Sequence, residues 1–236
     1  MKKYELLLFD FDGTLVDYDK TETWSLREAF RLTNIPYDEA FVLPEYNRIN
    51  AGLWKEFEKG GISAPELRVK RFLLLFDACG IKGDPEKIAQ AYMKFLSESA
   101  FLFDGVLDLL ENLRRSHKIG LITNGLKEAQ RRRLSLCGAD KYMDSVAVSD
   151  EIGIQKPDAG IFEYALKEAG HTDKATTLII GDSLTSDIQG GINFGIDTCW
   201  FNPKGSAADS GIQPTYEIRS LNDLPALLNR AGEDGF

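Results

Sequence analysis

Leu6-Leu7-Leu8-Phe9-Asp10-Phe11-Asp12-Gly13-Thr14 sets four consecutive apolar residues directly in front of two carboxylates two positions apart. An unbroken apolar run of that kind reads as a strand buried on both faces, as in the middle of a parallel sheet. Carboxylates at the end of such a strand are costly. Burial penalises the charged form, and neighbouring like charges raise each other's pKa unless a cation intervenes. Asp12-Gly13 alone would also serve as an ordinary turn. Asp10 and Asp12 are therefore read as a candidate nucleophile and a candidate proton donor.

After Leu15 the pattern changes. Thr23 to Thr33, Glu39 to Leu53, Leu67 to Cys79 and Pro85 to Leu96 carry apolar residues at spacings of three and four, the helical period. Ser63 with Glu66 has the spacing of a capping box. No strand-like alternation interrupts this region, so residues 16–99 read as an all-helical insert. Residues 1–15 and 100–236 alternate strand and helix. The strands expected are Lys118 to Thr123, Ser145 to Val148, Thr177 to Ile180 and Ile196 to Trp200, and the segments Thr215 to Arg219 and Leu221 to Leu228 close the sequence. The helices expected include Gly105 to Arg115, Leu126 to Cys137 (with Glu128 and Arg132 paired along it), Asp158 to Ala169 and Ile188 to Phe194. The fold class that follows is α/β, a Rossmann-like parallel sheet with helices on both faces, carrying an inserted all-helical domain. The tail from Ala231 to Phe236 reads as disordered.

Composition narrows the partners. A formal net charge of -9 over 236 residues argues against a nucleic-acid polymer or an anionic membrane surface. The sequence has no apolar run long enough to span a bilayer and no secretory cleavage pattern near its start, which suggests a cytoplasmic protein. Cys79, Cys137 and Cys199 are odd in number and widely spaced, the pattern of free buried thiols. His117 and His171 lie in polar stretches typical of a surface. There is no heptad seam from which to read an oligomeric state.

In sheets of this class a ligand sits beyond the carboxyl ends of the strands, near a switch in strand order. Asp10, Thr123 with Asn124, Lys156 and Asp182 all fall there. Together with Gly125, Pro157 and the stretch Gly181-Asp182-Ser183-Leu184-Thr185-Ser186-Asp187, these residues resemble the four ordered motifs of the haloacid dehalogenase superfamily, and the insert resembles its type-1 cap. The resemblance implies phosphoryl transfer, because a second Asp two residues after the nucleophile marks the phosphotransferring members. The chemistry gives the same reason, since an alkoxide leaving group needs a proton and a halide does not.

The roles implied are specific. Asp10 would attack phosphorus to form an aspartyl phosphate, and Asp12 would protonate the leaving oxygen and later deprotonate water. Thr123 and Lys156 would bind and neutralise the phosphoryl group, with Gly13, Asn124 and Gly125 offering close backbone approach or donors to it. Mg2+ would be held by Asp10, Asp182 and the backbone carbonyl of Asp12. Asp187 would be a second-shell group or an alternative metal ligand, and a helix N-cap role is open to it as well.

Ile122 to Leu166 further resembles the pyrimidine 5'-nucleotidase subgroup, which acts on dUMP, dTMP, UMP and damaged analogues. The partner expected is a small phosphomonoester, a nucleoside monophosphate. The alternatives are a phosphatase of phosphoglycolate or a sugar phosphate, a sugar phosphate mutase, and a binding protein on an inactive fold. Trp24, Phe30, Tyr46, Trp54 and Phe57 are candidates for stacking on a base, Tyr46 and Trp54 foremost. Arg131, Arg132 and Arg133 point about 100° apart on a helix and are expected mostly in solvent.

Overall fold

The structure, a computed structural model, describes residues 4–207 and 211–233. It opens with strand β1 (Leu6–Phe9), every residue of which is buried. The chain divides into two compact units, one of Met1–Asp17 with Phe101–Phe236, the other of Tyr18–Ala100. The expected insert began at residue 16, but Val16 and Asp17 belong with the first unit. Val16 bridges to Leu102, and the Asp17 N–H donates to the Phe101 carbonyl at 2.8 Å. Both ends of the insertion are thus clasped by main-chain hydrogen bonds that apolar periodicity does not reveal.

The inserted unit consists of α1 (Tyr18–Thr33), α2 (Glu39–Glu58), α3 (Ala64–Cys79) and α4 (Pro85–Ser97). Asp38, Ser63 and Asp84 cap the last three, and the Ser63–Glu66 capping box is formed. Each cap satisfies N–H groups that the helix itself leaves unpaired. The helices close over Leu26, Phe30, Tyr46, Phe72, Leu75, Ile88 and Tyr92, all essentially buried.

The first unit continues through α5 (Val106–Leu113), β2 (Lys118–Thr123), α6 (Lys127–Leu136), β3 (Ser145–Val148) and α7 (Ser149–Ile152). It goes on through α8 (Ala159–Glu168), β4 (Thr177–Gly181), α9 (Gln189–Phe194), β5 (Asp197–Phe201), β6 (Tyr216–Ile218) and α10 (Leu224–Glu233). The strands form one sheet in the order β3-β2-β1-β4-β5-β6, every pairing parallel. The order reverses at β1, so β1, β2 and β4 deliver their carboxyl ends side by side at the switch point.

Leu6 and Leu8 pack with Ile122, Ile179, Ile161, Phe162 and Ala165 on one face of the sheet. Leu7 and Phe9, pointing to the other face, are equally buried. This is why β1 reads as an unbroken apolar run. Ala231, expected in a disordered tail, is buried within α10; residues 234–236 of that tail and the side chain of Glu128 lie outside the described residues. Among the described residues no helix is long and apolar enough to cross a membrane. The three cysteines are free, Cys199 buried and the other two half-buried. His171 is buried rather than superficial, bonded to the Asp173 carbonyl and the Thr176 hydroxyl.

Candidate active site

Asp10 follows β1 and still pairs with β4, its N–H donating to the Ile180 carbonyl at 2.9 Å. Its carboxylate is buried and accepts from Lys156 Nζ at 2.5 Å. The chain then turns. The Leu15 and Val16 N–H groups donate to the Phe11 carbonyl, and the Gly13 N–H donates to Val16, which leaves the Asp12 carbonyl out of these bonds. Gly13 has φ 90°, and a Cβ there would lie 2.4 Å from Asp182 Oδ2. Only glycine permits both that backbone and that approach.

Lys156 is 1% exposed and donates from Nζ to Asp10, to Asp187 at 2.6 Å and to the Ile122 carbonyl at 3.0 Å. Its loop is held by Asn124, whose side-chain amide accepts from the Lys156 N–H and donates to the Lys156 carbonyl, both at 2.8 Å. Asn124 was expected either to donate to the phosphate or to position the backbone beside it, and its amide holds the Lys156 backbone.

Asp182 and Asp187 follow β4. A Cβ on Gly181 would fall 2.3 Å from the Asp187 carboxyl, so the bare strand end lets Asp187 fold back over it. Asp187 is fully buried and accepts from Lys156 and from the Ser183 N–H at 3.0 Å. It does not cap a helix. Ser183 fills that role, its hydroxyl accepting from the Ser186 N–H at the head of a single wide turn, Leu184–Ile188. The Asp182 carbonyl accepts from the Trp200 indole at 2.8 Å, and its carboxylate from the Thr14 hydroxyl at 3.4 Å.

The electrostatics follow from this crowding. Burial drives the Asp10 pKa well above the ordinary carboxylate value; Lys156 opposes the shift, while Asp187 and Asp182 add to it. Burial works against the Lys156 cation, but Asp10 and Asp187 overcome it and hold that pKa above the ordinary lysine value. Asp182 has solvent at its surface yet sits in a dense protein surround. That desolvation, with Asp187 next in weight, pushes its carboxyl up to about 7. Carboxylate oxygens of Asp10, Asp182 and Asp187 lie within 4.8 Å of one another. Three carboxylates against one lysine, all hard oxygen donors, suit a small divalent cation such as Mg2+.

Thr123 ends β2, 2% exposed, and its hydroxyl accepts from Gln130 Nε2 at 2.6 Å. Because that hydroxyl is already an acceptor there, its own proton is directed elsewhere. Gln130 Nε2 also donates to Asp12 Oδ2 at 2.8 Å, and Arg133 donates to both oxygens of Asp12, from Nη2 at 2.5 Å and from Nη1 at 2.9 Å. Gly125 was expected to admit phosphate. A Cβ on it would strike the Gln130 side chain at 2.4 Å, so its bareness makes room for Gln130.

Gln130 was not singled out in the sequence, and Arg133 was grouped with two neighbours expected mostly in solvent. Arg131 and Arg132 are exposed, as expected, but Arg133 is 1% exposed, its guanidinium 5.1 Å from the Phe11 ring centroid. The available signal was the phase of α6: Ala129 and Leu134 are buried, and Gln130 and Arg133 share their face. Of the stacking candidates in the inserted unit, Tyr46 and Phe30 are 0% exposed and belong to its core. The Tyr46 hydroxyl accepts from Arg71 at 3.3 Å, and its ring packs against Phe72 and Tyr92. Trp54 packs edge-on to Phe57, and Trp24 edge-on to Phe95.

Comparison with known proteins adds a lineage to this geometry. The haloacid dehalogenase-like hydrolase family model matches residues 4–195. The chain belongs to the haloacid dehalogenase-like hydrolase family. A crystal structure of YfnB from Bacillus subtilis, described as bound to magnesium, superposes with a TM-score of 0.91 at 39% identity, over 97% of this chain and 100% of that one. Pyrimidine 5'-nucleotidase YjjG of Escherichia coli is 34% identical over 96% of this chain and 98% of its own length. Pyrimidine 5'-nucleotidase PynA of Streptococcus pneumoniae is 38% identical, over 96% of each. The four strand-end motifs, read first as a resemblance, are thus those of a haloacid dehalogenase-like enzyme.

Proposed function

We propose that this hydrolase is a Mg2+-dependent phosphomonoesterase working through an aspartyl phosphate, with pyrimidine nucleoside 5'-monophosphates as substrates and the cytoplasm as its place of action. The observation that carries the reading is the buried Asp10–Lys156–Asp187 cluster beside Asp182, with a second acid, Asp12, two residues after Asp10. Two relatives named as pyrimidine 5'-nucleotidases, each aligned over nearly the whole chain, support the substrate class.

Asp10, Asp182 and the Asp12 carbonyl would hold the metal, with Asp187 kept beside them by Lys156. When bound, Mg2+ supplies positive charge that offsets the carboxylates and the phosphoryl oxygens. Asp10 Oδ attacks phosphorus, the bond to the ester oxygen breaks, and Asp12 gives that oxygen its proton. Water then attacks the same phosphorus, Asp12 takes the water proton, and Asp10 leaves as a carboxylate. Lys156 balances charge on Asp10 throughout, and the Thr123 hydroxyl donates a hydrogen bond to a phosphoryl oxygen. The inserted helical unit is assigned the role of the type-1 cap, selecting the alcohol part of a small substrate.

Phosphate release in Mg2+ from dUMP, dTMP, UMP, dAMP, GMP, phosphoglycolate and hexose phosphates tests both levels of the proposal. Preference for the pyrimidine esters supports the full reading. Preference for phosphoglycolate or a sugar phosphate would discard the nucleotidase assignment alone, and no metal-dependent release from any ester would discard the phosphatase.

A further inference from the structure

Asp12 faces two tasks that conflict. To serve as acid and base its carboxylate must reach the leaving oxygen, yet three hydrogen bonds tie it to α6, two from Arg133 and one from Gln130. These partners are themselves locked together. Arg133 Nη1 donates to Gln130 Oε1 at 2.8 Å, and a guanidinium can only donate, so the orientation of the Gln130 amide is fixed. The same Gln130 Nε2 reaches the Thr123 hydroxyl. Arg133 is buried against Phe11, the residue between the two carboxylates. A folded protein gains little from burying an arginine beside a partly exposed carboxylate, because desolvating the cation offsets most of the attraction.

We propose that Arg133, acting through Asp12 and braced by Gln130, is a positioning residue for proton transfer: it sets where the Asp12 carboxylate stands relative to the leaving group. This inference rests on the phosphatase reading. The planar two-pronged donor is what fixes the carboxylate plane, a geometry that lysine, a point charge, does not reproduce. Arg133 is assigned its effect through its two hydrogen bonds to Asp12.

The consequence is a dependence on the leaving group. An alkoxide needs the Asp12 proton as it departs, whereas p-nitrophenolate departs as a stable anion. The comparison is kcat/KM of Arg133→Lys against wild type on p-nitrophenyl phosphate and on the best alkyl ester of the panel above. Since general acid catalysis contributes about 100- to 10,000-fold, a misplaced acid should cost on the order of 10- to 100-fold on the alkyl ester and less than about 3-fold on the aryl ester. A Asp12→Asn background supplies the second measurement. There Arg133→Lys should add no further loss on the alkyl ester, because the group it positions no longer carries a proton.

Equal losses on the two esters, or a full additional loss in the Asp12→Asn background, would show Arg133 to be structural and overturn the inference while leaving the phosphatase intact. If Arg133→Lys does not fold, Arg133→Gln in the same two assays replaces it, with the same split expected. A wild type inactive on both esters would instead overturn the phosphatase reading itself.

Discussion

Replacing Lys156 by methionine keeps the length of the side chain and removes one charge. The ammonium is 1% exposed and touches Asp10 at 2.5 Å and Asp187 at 2.6 Å. In metal-free protein the substitution leaves two buried carboxylates, with Asp182 nearby, and no cation in contact with them. Removing one partner of a buried pair costs about 3–5 kcal/mol, because the remaining charge stays desolvated. At about 2–4 °C per kcal/mol for a chain of this size, the melting temperature should fall by about 6–20 °C at pH 8.

The deficit should shrink toward pH 5, where Asp10 and Asp182, whose pKa values are raised, take up protons and shed the uncompensated charge. Mg2+ should recover more in the variant than in wild type, since the variant presents a more negative site and binding stabilises the folded state in proportion to affinity. Thermal melts of both proteins, in chelator and in Mg2+, at pH 5 and pH 8, measure all of this. A variant that melts within about 2 °C of wild type in chelator at pH 8, far short of the expected loss, or an equal Mg2+ increment in both proteins, would refute the reasoning.

Asp10→Asn should abolish phosphate release with the fold preserved, and Asp12→Asn should slow formation and hydrolysis of the phosphoenzyme alike, read by rapid-quench assay; near-normal turnover in either removes its assigned role. Gly13→Ala should cost about 1–3 kcal/mol for forcing a side chain into positive φ, and should weaken Mg2+ binding in calorimetry because the new methyl meets the Asp182 carboxyl. In metal-free wild type the folded state holds the Asp182 proton up to about pH 7 while the unfolded chain releases it near the ordinary carboxylate value. Stability should therefore decline as pH rises between these values, and Mg2+ affinity should climb through the same window, because the metal requires the deprotonated ligand. Melting curves that stay flat from pH 4 to pH 7 in chelator would contradict this.

The α/β alternation, the inserted helices and the carboxylates behind β1 were legible in the sequence for a local reason. Apolar period distinguishes buried strand from amphipathic helix, and Asp10, Thr123 and Asp182 each lie at the end of an apolar segment. Strand order was not legible, because which parallel strands lie side by side depends on crossovers rather than on any one strand. Nor could the sequence distribute the polar groups among their partners. Asn124 and Gly125 both look suited to a phosphate site, and only tertiary packing shows that the Asn124 amide also holds the Lys156 backbone and that the bare Gly125 leaves room for Gln130. Tyr46 looks available to stack on a base, and packing closes it into the core of the inserted unit. Arg133 is one of three identical neighbours; the phase of α6 marks it as the inward-facing one, and the docking of α6 beside the β1 turn brings it to Asp12. Local sequence fixes which groups are present and at which strand end, since spacing along the chain sets both. Which carboxylate faces a lysine, which an arginine, and which stays open to a metal depends on contacts between segments over a hundred residues apart, and only the folded chain decides it.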